Sequence, residues 1–145
     1  MVTVSQIKIL PDDLPELATK ARNEGFRFLD RLAQEFADGK NTFAKTGEAL
    51  FEVRDEGRLV GVGGLNIDPY GGDCTAGRVR RLYVDPDHRG NGIGKILMGA
   101  IEDVARDSFS ELRLLTDTTI GARFYDRLGY RSVSGHEHVS HIKIL

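Results

Sequence analysis

Arg-Gly-Asn-Gly-Ile-Gly, residues 89–94, is the stretch that decides the fold, because it stands between an apolar segment and a strongly amphipathic one. In the second segment apolar residues recur at the spacing of one helix face, which predicts a helix over residues 92–107. Gly92 and Gly94 lack a Cβ atom, and amides that open a helix have no intrahelical acceptor. Such a turn attracts anions, so we expect a phosphate-bearing ligand at residues 89–94.

The segments on either side complete a β-α-β unit. Residues 77–84 and 111–116 are predicted strands, and with the helix between them they should lie parallel in one sheet. The glycine turn follows the first strand at its carboxyl end. Open α/β sheets bind their ligands at that edge.

The rest of the chain predicts further strands and three shorter helices. Strands are expected over residues 2–10, 49–54, 59–66, 130–134 and 138–145, and helices over residues 14–23, 26–37 and 119–128. Residues 55–57 have the composition of a hairpin turn, and residues 68–73 that of a loop. Gly61, Gly63 and Gly64 indicate a bulge or the close approach of another chain or a ligand. The fold class is therefore α/β with a mixed sheet.

Length and charge restrict the kind of protein. A chain of 145 residues has the size of one domain, which we expect to span residues 1–145. Its net charge of −2 provides no basic field for nucleic acid or membrane. No apolar run approaches the roughly 20 residues of a membrane span, and no secretion signal follows Met1. The single Cys74 forms no internal disulfide, so we expect a cytoplasmic protein.

The spacing of the glycines excludes two common phosphate-binding loops. A dinucleotide fingerprint needs Gly-x-Gly-x-x-Gly, and neither Gly90 nor Gly92 begins that series. A triphosphate loop needs Gly-Lys followed by Ser or Thr, whereas Ile96 follows Lys95 here. The remaining pattern is Arg-x-x-Gly-x-Gly after an apolar strand.

Residues 80–94, Arg-Arg-Leu-Tyr-Val-Asp-Pro-Asp-His-Arg-Gly-Asn-Gly-Ile-Gly, resemble the coenzyme A pyrophosphate motif of the GNAT superfamily of acetyl-CoA-dependent N-acetyltransferases. Residues 124–130, Phe-Tyr-Asp-Arg-Leu-Gly-Tyr, resemble a second motif of that family. The resemblance implies the GNAT fold, with a mostly antiparallel central sheet, one parallel β-α-β unit and flanking helices. It also implies acetyl-CoA as co-substrate, an amine acceptor, no metal and a possible homodimer.

The resemblance further implies the residues of the donor site. Backbone amides of the glycine turn would hold the pyrophosphate, and the preceding strand would pair with the pantetheine arm. The residues that match the family's coenzyme site are Leu82, Tyr83, Val84, Arg89, Gly90, Asn91, Gly92, Ile93, Gly94, Lys95 and, where relatives often carry asparagine, Thr118.

Tyr125 matches the family's general acid. A free phenol titrates at about pH 10, so Tyr125 is protonated at neutral pH and can donate a hydrogen bond to the departing sulfur. As an aromatic residue on an amphipathic helix it could instead have only a packing role.

The acceptor half is less defined by the sequence. Many relatives carry a glutamate base at the strand position of Arg78, and arginine is not a base, so we assign no base. Arg78 or Arg80 could recognise an acceptor carboxylate, although we interpret both more readily as a solvated strand face. We expect transfer of acetyl to a primary amine. The alternatives are a non-catalytic coenzyme A binding regulatory module and an acetyltransferase of protein lysines or N-terminal amines.

Overall fold

The computed structural model describes residues 1–72 and 74–145, and within that part of the chain all strands join one mixed sheet. The strands are β1 (Val2–Ile7), β2 (Ala49–Asp55), β3 (Arg58–Ile67), β4 (Ala76–Val84), β5 (Glu111–Leu114), β6 (Arg131–Ser132) and β7 (His141–Ile144). The helices are α1 (Leu14–Asn23), α2 (Phe28–Asp38), α3 (Ile93–Ala105) and α4 (Thr119–Arg127), and Pro86–His88 form a 3-10 turn. The sheet order is β1-β2-β3-β4-β5-β7-β6.

The architecture confirms the predicted fold class. Strands β4 and β5, which α3 connects, pair in parallel. The other strand pairs of the sheet are antiparallel. The ends differ from the prediction: β1 stops at Ile7, before the turn that leads to Pro11, and β5 stops at Leu114. The predicted loop at residues 68–73 is confirmed up to Gly72, since Asp73 lies outside the described residues.

Helices cover both faces of the sheet. On one face the buried side of α3, which includes Leu97 and Ile101, packs with Tyr125 of α4 against residues of the central strands. On the other face α1 and α2 pack through Leu17, Leu29 and neighbouring residues. The sequence periodicity of α3 therefore identified the helix face that the sheet buries.

The β2–β3 hairpin has the turn that its composition predicts. Asp55 pairs with Arg58, and the two residues between them, Glu56 and Gly57, have φ angles of 50° and 79°. Positive φ at both central positions belongs to a type I′ turn, whose twist matches that of the strands.

The glycines of β3 make room for side chains on both faces of the strand. A Cβ atom on Gly61 would lie 3.1 Å from Leu97 of α3, and one on Gly63 would lie 2.6 Å from Leu82. On the opposite face a Cβ atom on Gly64 would collide with the ring of Phe43. The predicted close approach to this strand is thus the protein's own core.

The sheet is irregular opposite the same glycines. Gly64 pairs with Arg80 and Val62 pairs with Tyr83, so two residues of β4 stand opposite Gly63 alone. The predicted bulge is present, but its additional residue belongs to β4. Arg81 has a φ angle of 59°, the left-handed conformation that marks such a bulge.

We predict that Gly64→Ala lowers the free energy of unfolding by about 1–3 kcal/mol, because the ring of the buried Phe43 must shift. Gly99→Ala is the matched control, since Gly99 lies within α3 with open space around its Cα atom. Alanine should stabilise that helix by about 0.5–1 kcal/mol. Urea unfolding measures the free energy of unfolding of both variants. If both substitutions changed it in the same direction, the packing argument would be contradicted.

Candidate functional site

Strands β4 and β5 separate early, which opens a gap in the middle of the sheet. Their parallel pairing covers Ala76 to Arg78 on β4 and ends there. Beyond Arg78, β4 continues to Val84 with no strand on its β5 side among the described residues. Unpaired main-chain groups on that edge are free to bond an extended ligand that lies along β4.

The glycine turn, residues 89–94, lies at the carboxyl end of this free edge. Gly90 and Gly92 have φ angles of 83° and 80°, where a side chain would be strained. No amide from Gly90 to Lys95 has a hydrogen-bond acceptor among the described residues, and the first bond of α3 runs from the Ile96 amide to the Gly92 carbonyl. The turn therefore presents consecutive N–H donors at a helix N-terminus.

Neighbouring aromatic packing fixes the start of α3. A Cβ atom on Gly94 would lie 3.0 Å from the ring of Phe124, so α4 packs against the first turn of α3. Ile93, the first residue of α3, is buried in the core cluster on this face of the sheet. The exposed glycine turn is thus followed by a helix start that core packing holds in place.

Ionic contacts to α1 hold the other end of the turn. Lys20 lies 2.7 Å from the buried Asp85, and Arg89 donates two hydrogen bonds of 2.7 and 2.8 Å to Glu24. The Tyr83 hydroxyl donates to the same Glu24 carboxylate, and the Arg89 guanidinium stacks 5.3 Å from the Tyr83 ring centre. The bonds from Arg89 hold the pKa of Glu24 below its usual value.

Three arginines between residues 78 and 89 have carboxylate partners. Arg89 is bound by Glu24, Arg81 lies 2.9 Å from Glu35, and Arg78 lies 3.4 Å from Asp68. The interpretation of Arg78 as a solvated strand residue is wrong. Arg78 is 5% exposed, donates to the His138 carbonyl and stacks on Tyr70, because the loops after β3 and before β7 cover it.

The remaining predicted donor-site side chains lie along β4 and at α4. Leu82 and Val84 face α3, whereas Tyr83 faces α1 and α2. Thr118 caps α4, since its hydroxyl oxygen accepts a 3.0 Å bond from the Gly121 amide. Exposed Lys95 has no ionic partner among the described residues.

Tyr125 lies in the core cluster beneath these elements. It is 8% exposed, and its ring packs edge-on against Phe124 and Tyr130. Its hydroxyl has no hydrogen-bond partner among residues 1–72 and 74–145. Burial raises the pKa of Tyr125 above that of a free phenol, so the hydroxyl stays protonated.

An open cleft of about 370 Å³ borders β4 on the α1 and α2 face. Its walls are the end of α2, the segment of residues 39–48 and the end of β3, and its charged lining residues are Glu35, Lys40, Lys45, Glu48 and Arg80. Asn41 and Asn66 join the walls through reciprocal amide bonds of 2.9 and 3.0 Å. Sequence reasoning missed this cleft except for Arg80, since its residues follow no motif.

The described residues contain neither a cluster of metal ligands nor a membrane-spanning helix. No three His, Cys, Asp or Glu side chains in that part of the chain are grouped so that they could hold a metal ion. None of its helices is long and apolar enough to cross a membrane.

Comparisons with known proteins agree with the geometry. Residues 46–132 match the family model of the acetyltransferase (GNAT) domain. A glucosamine 6-phosphate N-acetyltransferase from Trypanosoma brucei brucei is 32% identical over 85 residues, which are 57% of this chain and 58% of that protein. An amino-acid acetyltransferase from Mycobacterium tuberculosis is 27% identical over 135 residues, which are 86% of this chain and 74% of that protein. The chain thus spans less than two thirds of the Trypanosoma relative.

A solved structure extends the similarity to nearly the whole chain. A protein from Exiguobacterium sp. 255-15, named as a proposed acetyltransferase, is 28% identical and superposes with a TM-score of 0.88 over 99% of this chain and 93% of that one.

The separated strands and the open glycine turn place two sets of unpaired main-chain groups side by side in a mixed α/β protein. Because the family model covers more than half of the sequence, the chain belongs to the GNAT acetyltransferase family.

We predict that Glu24→Gln destabilises the protein by up to about 1 kcal/mol at pH 7, since Arg89 loses its ionic partner. A carboxyl group with a lowered folded-state pKa stabilises above its unfolded pKa, and that contribution disappears as the pH falls further. The difference between wild type and variant should therefore shrink between about pH 5 and pH 3. Glu16→Gln on the exposed side of α1 is the control. A difference that stayed constant down to pH 3 would exclude the ion pair as its source.

Proposed function

We propose that the protein transfers acetyl from acetyl-CoA to a primary amine by direct attack in a ternary complex. The observation that carries this proposal is the row of unpaired amides from Gly90 to Lys95 beside the free edge of β4. A pyrophosphate at the turn and an amide-bearing arm along the strand would satisfy both sets of groups. Family membership supports the same chemistry.

In this proposal the pyrophosphate binds the main chain of residues 89–95. The amides and the positive end of the α3 dipole offset its charge, and Lys95 adds a cation with no other partner among the described residues. Arg89, held by Glu24, contributes by fixing the start of the turn. Thr118 keeps a hydroxyl proton for a coenzyme contact while its oxygen caps α4.

The thioester would lie against the backbone of Leu82 to Val84. A neutral amine attacks the carbonyl carbon, an N–C bond forms, and main-chain N–H groups of β4 stabilise the oxyanion of the tetrahedral intermediate. The intermediate collapses as the C–S bond breaks and the nitrogen releases its additional proton to solvent, and the Tyr125 hydroxyl donates a hydrogen bond to the departing thiolate sulfur. Tyr125 suits this role because burial keeps it protonated and its hydroxyl has no partner among the described residues.

Relatives with different named acceptors, glucosamine 6-phosphate and an amino acid, match this chain at similar identity. Similarity therefore supports an amine acceptor and does not choose between an amino sugar phosphate and an amino acid. The acceptor must be inferred from the cleft beside β4.

Coenzyme A should raise the melting temperature of the wild type, because a ligand that binds only the native state stabilises it. Gly92→Ala should remove most of this increase, since alanine is strained at a φ angle of 80° and its methyl group lies where the amides are open. Gly135→Ala, with the same φ angle in a loop beyond β6, controls for backbone strain. Thermal melts with and without coenzyme A test the donor site. An equal coenzyme shift in wild type and Gly92→Ala would contradict it.

Tyr125→Phe should lower kcat by roughly 10²-fold and leave the coenzyme A melting shift intact, because only the bond to the leaving sulfur is lost. Tyr70→Phe, on the exposed loop after β3, is the matched control. The turnover of both variants is measured as thiol release from acetyl-CoA across a panel of amines. Full turnover by Tyr125→Phe would leave Tyr125 with a packing role, and coenzyme binding without thiol release by the wild type would favour a regulatory module.

A further inference from the structure

Three arginines of β4 lie on the face of the sheet that α2 covers. The bulge at Arg81 places Arg80 and Arg81 on the same face, because the additional residue interrupts the alternation of side chains. Arg81 is paired with Glu35, and Arg78, two residues before Arg80, is paired with Asp68. Arg80 has no carboxylate partner and no side-chain hydrogen bond among the described residues.

The charge of Arg80 is not offset by its neighbours. Burial lowers the pKa of both Arg78 and Arg81, and the charge of Arg80 acts on both in the same direction. Arg80 as a whole is half-buried, and reduced contact with water strengthens the attraction of a cation for an anion.

The carboxylates of the cleft are already bound to other groups. Glu35 accepts from Arg81, and Glu48 accepts from the Asn66 side chain and from the amides of Ile67 and Lys45 at 2.9 to 3.1 Å. Lys40 and Lys45 add positive charge at the rim. The cleft therefore contains an unpaired planar cation, and among the described residues both lining carboxylates, Glu35 and Glu48, already accept hydrogen bonds from other groups.

We propose that Arg80 binds an anionic group of the acceptor, so that the substrate is an amine that also carries a carboxylate or a phosphate. The inference rests on the proposed function, since it assigns the acceptor class of that same reaction. Arg80 directly precedes the bulge, and the backbone at which the thioester would lie follows it at residues 82–84. A guanidinium binds either oxyanion through two parallel N–H bonds.

Paired acceptors test this assignment in the full chain. One pair is an amino acid and its amide, and the other is an amino sugar phosphate and the free amino sugar, so that the two sources of anion are distinguished. Wild type should acetylate at least one anionic member with a kcat/KM at least tenfold above that of its neutral partner.

Arg80→Gln should remove this preference by raising KM for the anionic acceptor. Its kcat/KM should fall roughly 10- to 100-fold for that acceptor and change little for the neutral one. Arg80→Lys should restore part of it, because the charge remains without the planar fork. Arg131→Gln is the control, since Arg131 is exposed on the edge strand β6 and lacks an ionic partner among the described residues. A preference for neutral amines, or a preference retained by Arg80→Gln, would overturn the assignment.

A binding readout separates this inference from the proposed reaction. Sodium sulfate titrated at constant ionic strength should shift the Arg80 Nε–H resonance, identified by its loss in Arg80→Gln, and leave that of Arg131 unchanged. If no amine is acetylated but the Arg80 resonance shifts, the reaction fails and the anion site stands. An Arg80 resonance unaffected by sulfate would refute the site whatever the turnover.

Discussion

The left-handed backbone of Arg81 controls which way the following residues of β4 face. A non-glycine residue in this conformation costs roughly 1–2 kcal/mol, and the ion pair with Glu35 holds its side chain in place. In a regular strand the side chains after Arg81 would point to the opposite faces. Tyr83 would then face α3 and could not reach Glu24, so the bulge is what joins the strand to α1.

Helix α1 is as important to the glycine turn as the residues of the turn itself. Lys20 within the helix and Glu24 at its C-terminal cap bind Asp85 and Arg89, which lie on either side of the 3-10 turn. Each of these two contacts joins residues that are 65 positions apart in the sequence. The open amides therefore occupy fixed positions before any ligand arrives, which reduces the ordering cost of binding.

The sequence predicted what depends on local chemistry. The periodicity of α3, the turn at Glu56 and Gly57, and the glycines of β3 each identified a feature that the structure contains. Ionic partners were not predictable, because Asp68, Glu35 and Glu24 meet their arginines only through packing. The sequence also contains no feature that predicts the left-handed conformation of Arg81, since arginine has no special preference for positive φ.

The segment between α2 and β2 has a further consequence for how this fold can change. Its contacts run to β3, through Asn41 with Asn66 and Phe43 with Gly64, and to Ser108 and Phe109 beside Gly47. None of these contacts reaches the glycine turn, although Phe43 shares a core cluster with residues of α1. Substitutions at the exposed positions of the segment, such as Lys40 and Lys45, can therefore reshape the cleft while the glycine turn keeps its geometry, so that a lineage could acquire new acceptors and retain one donor.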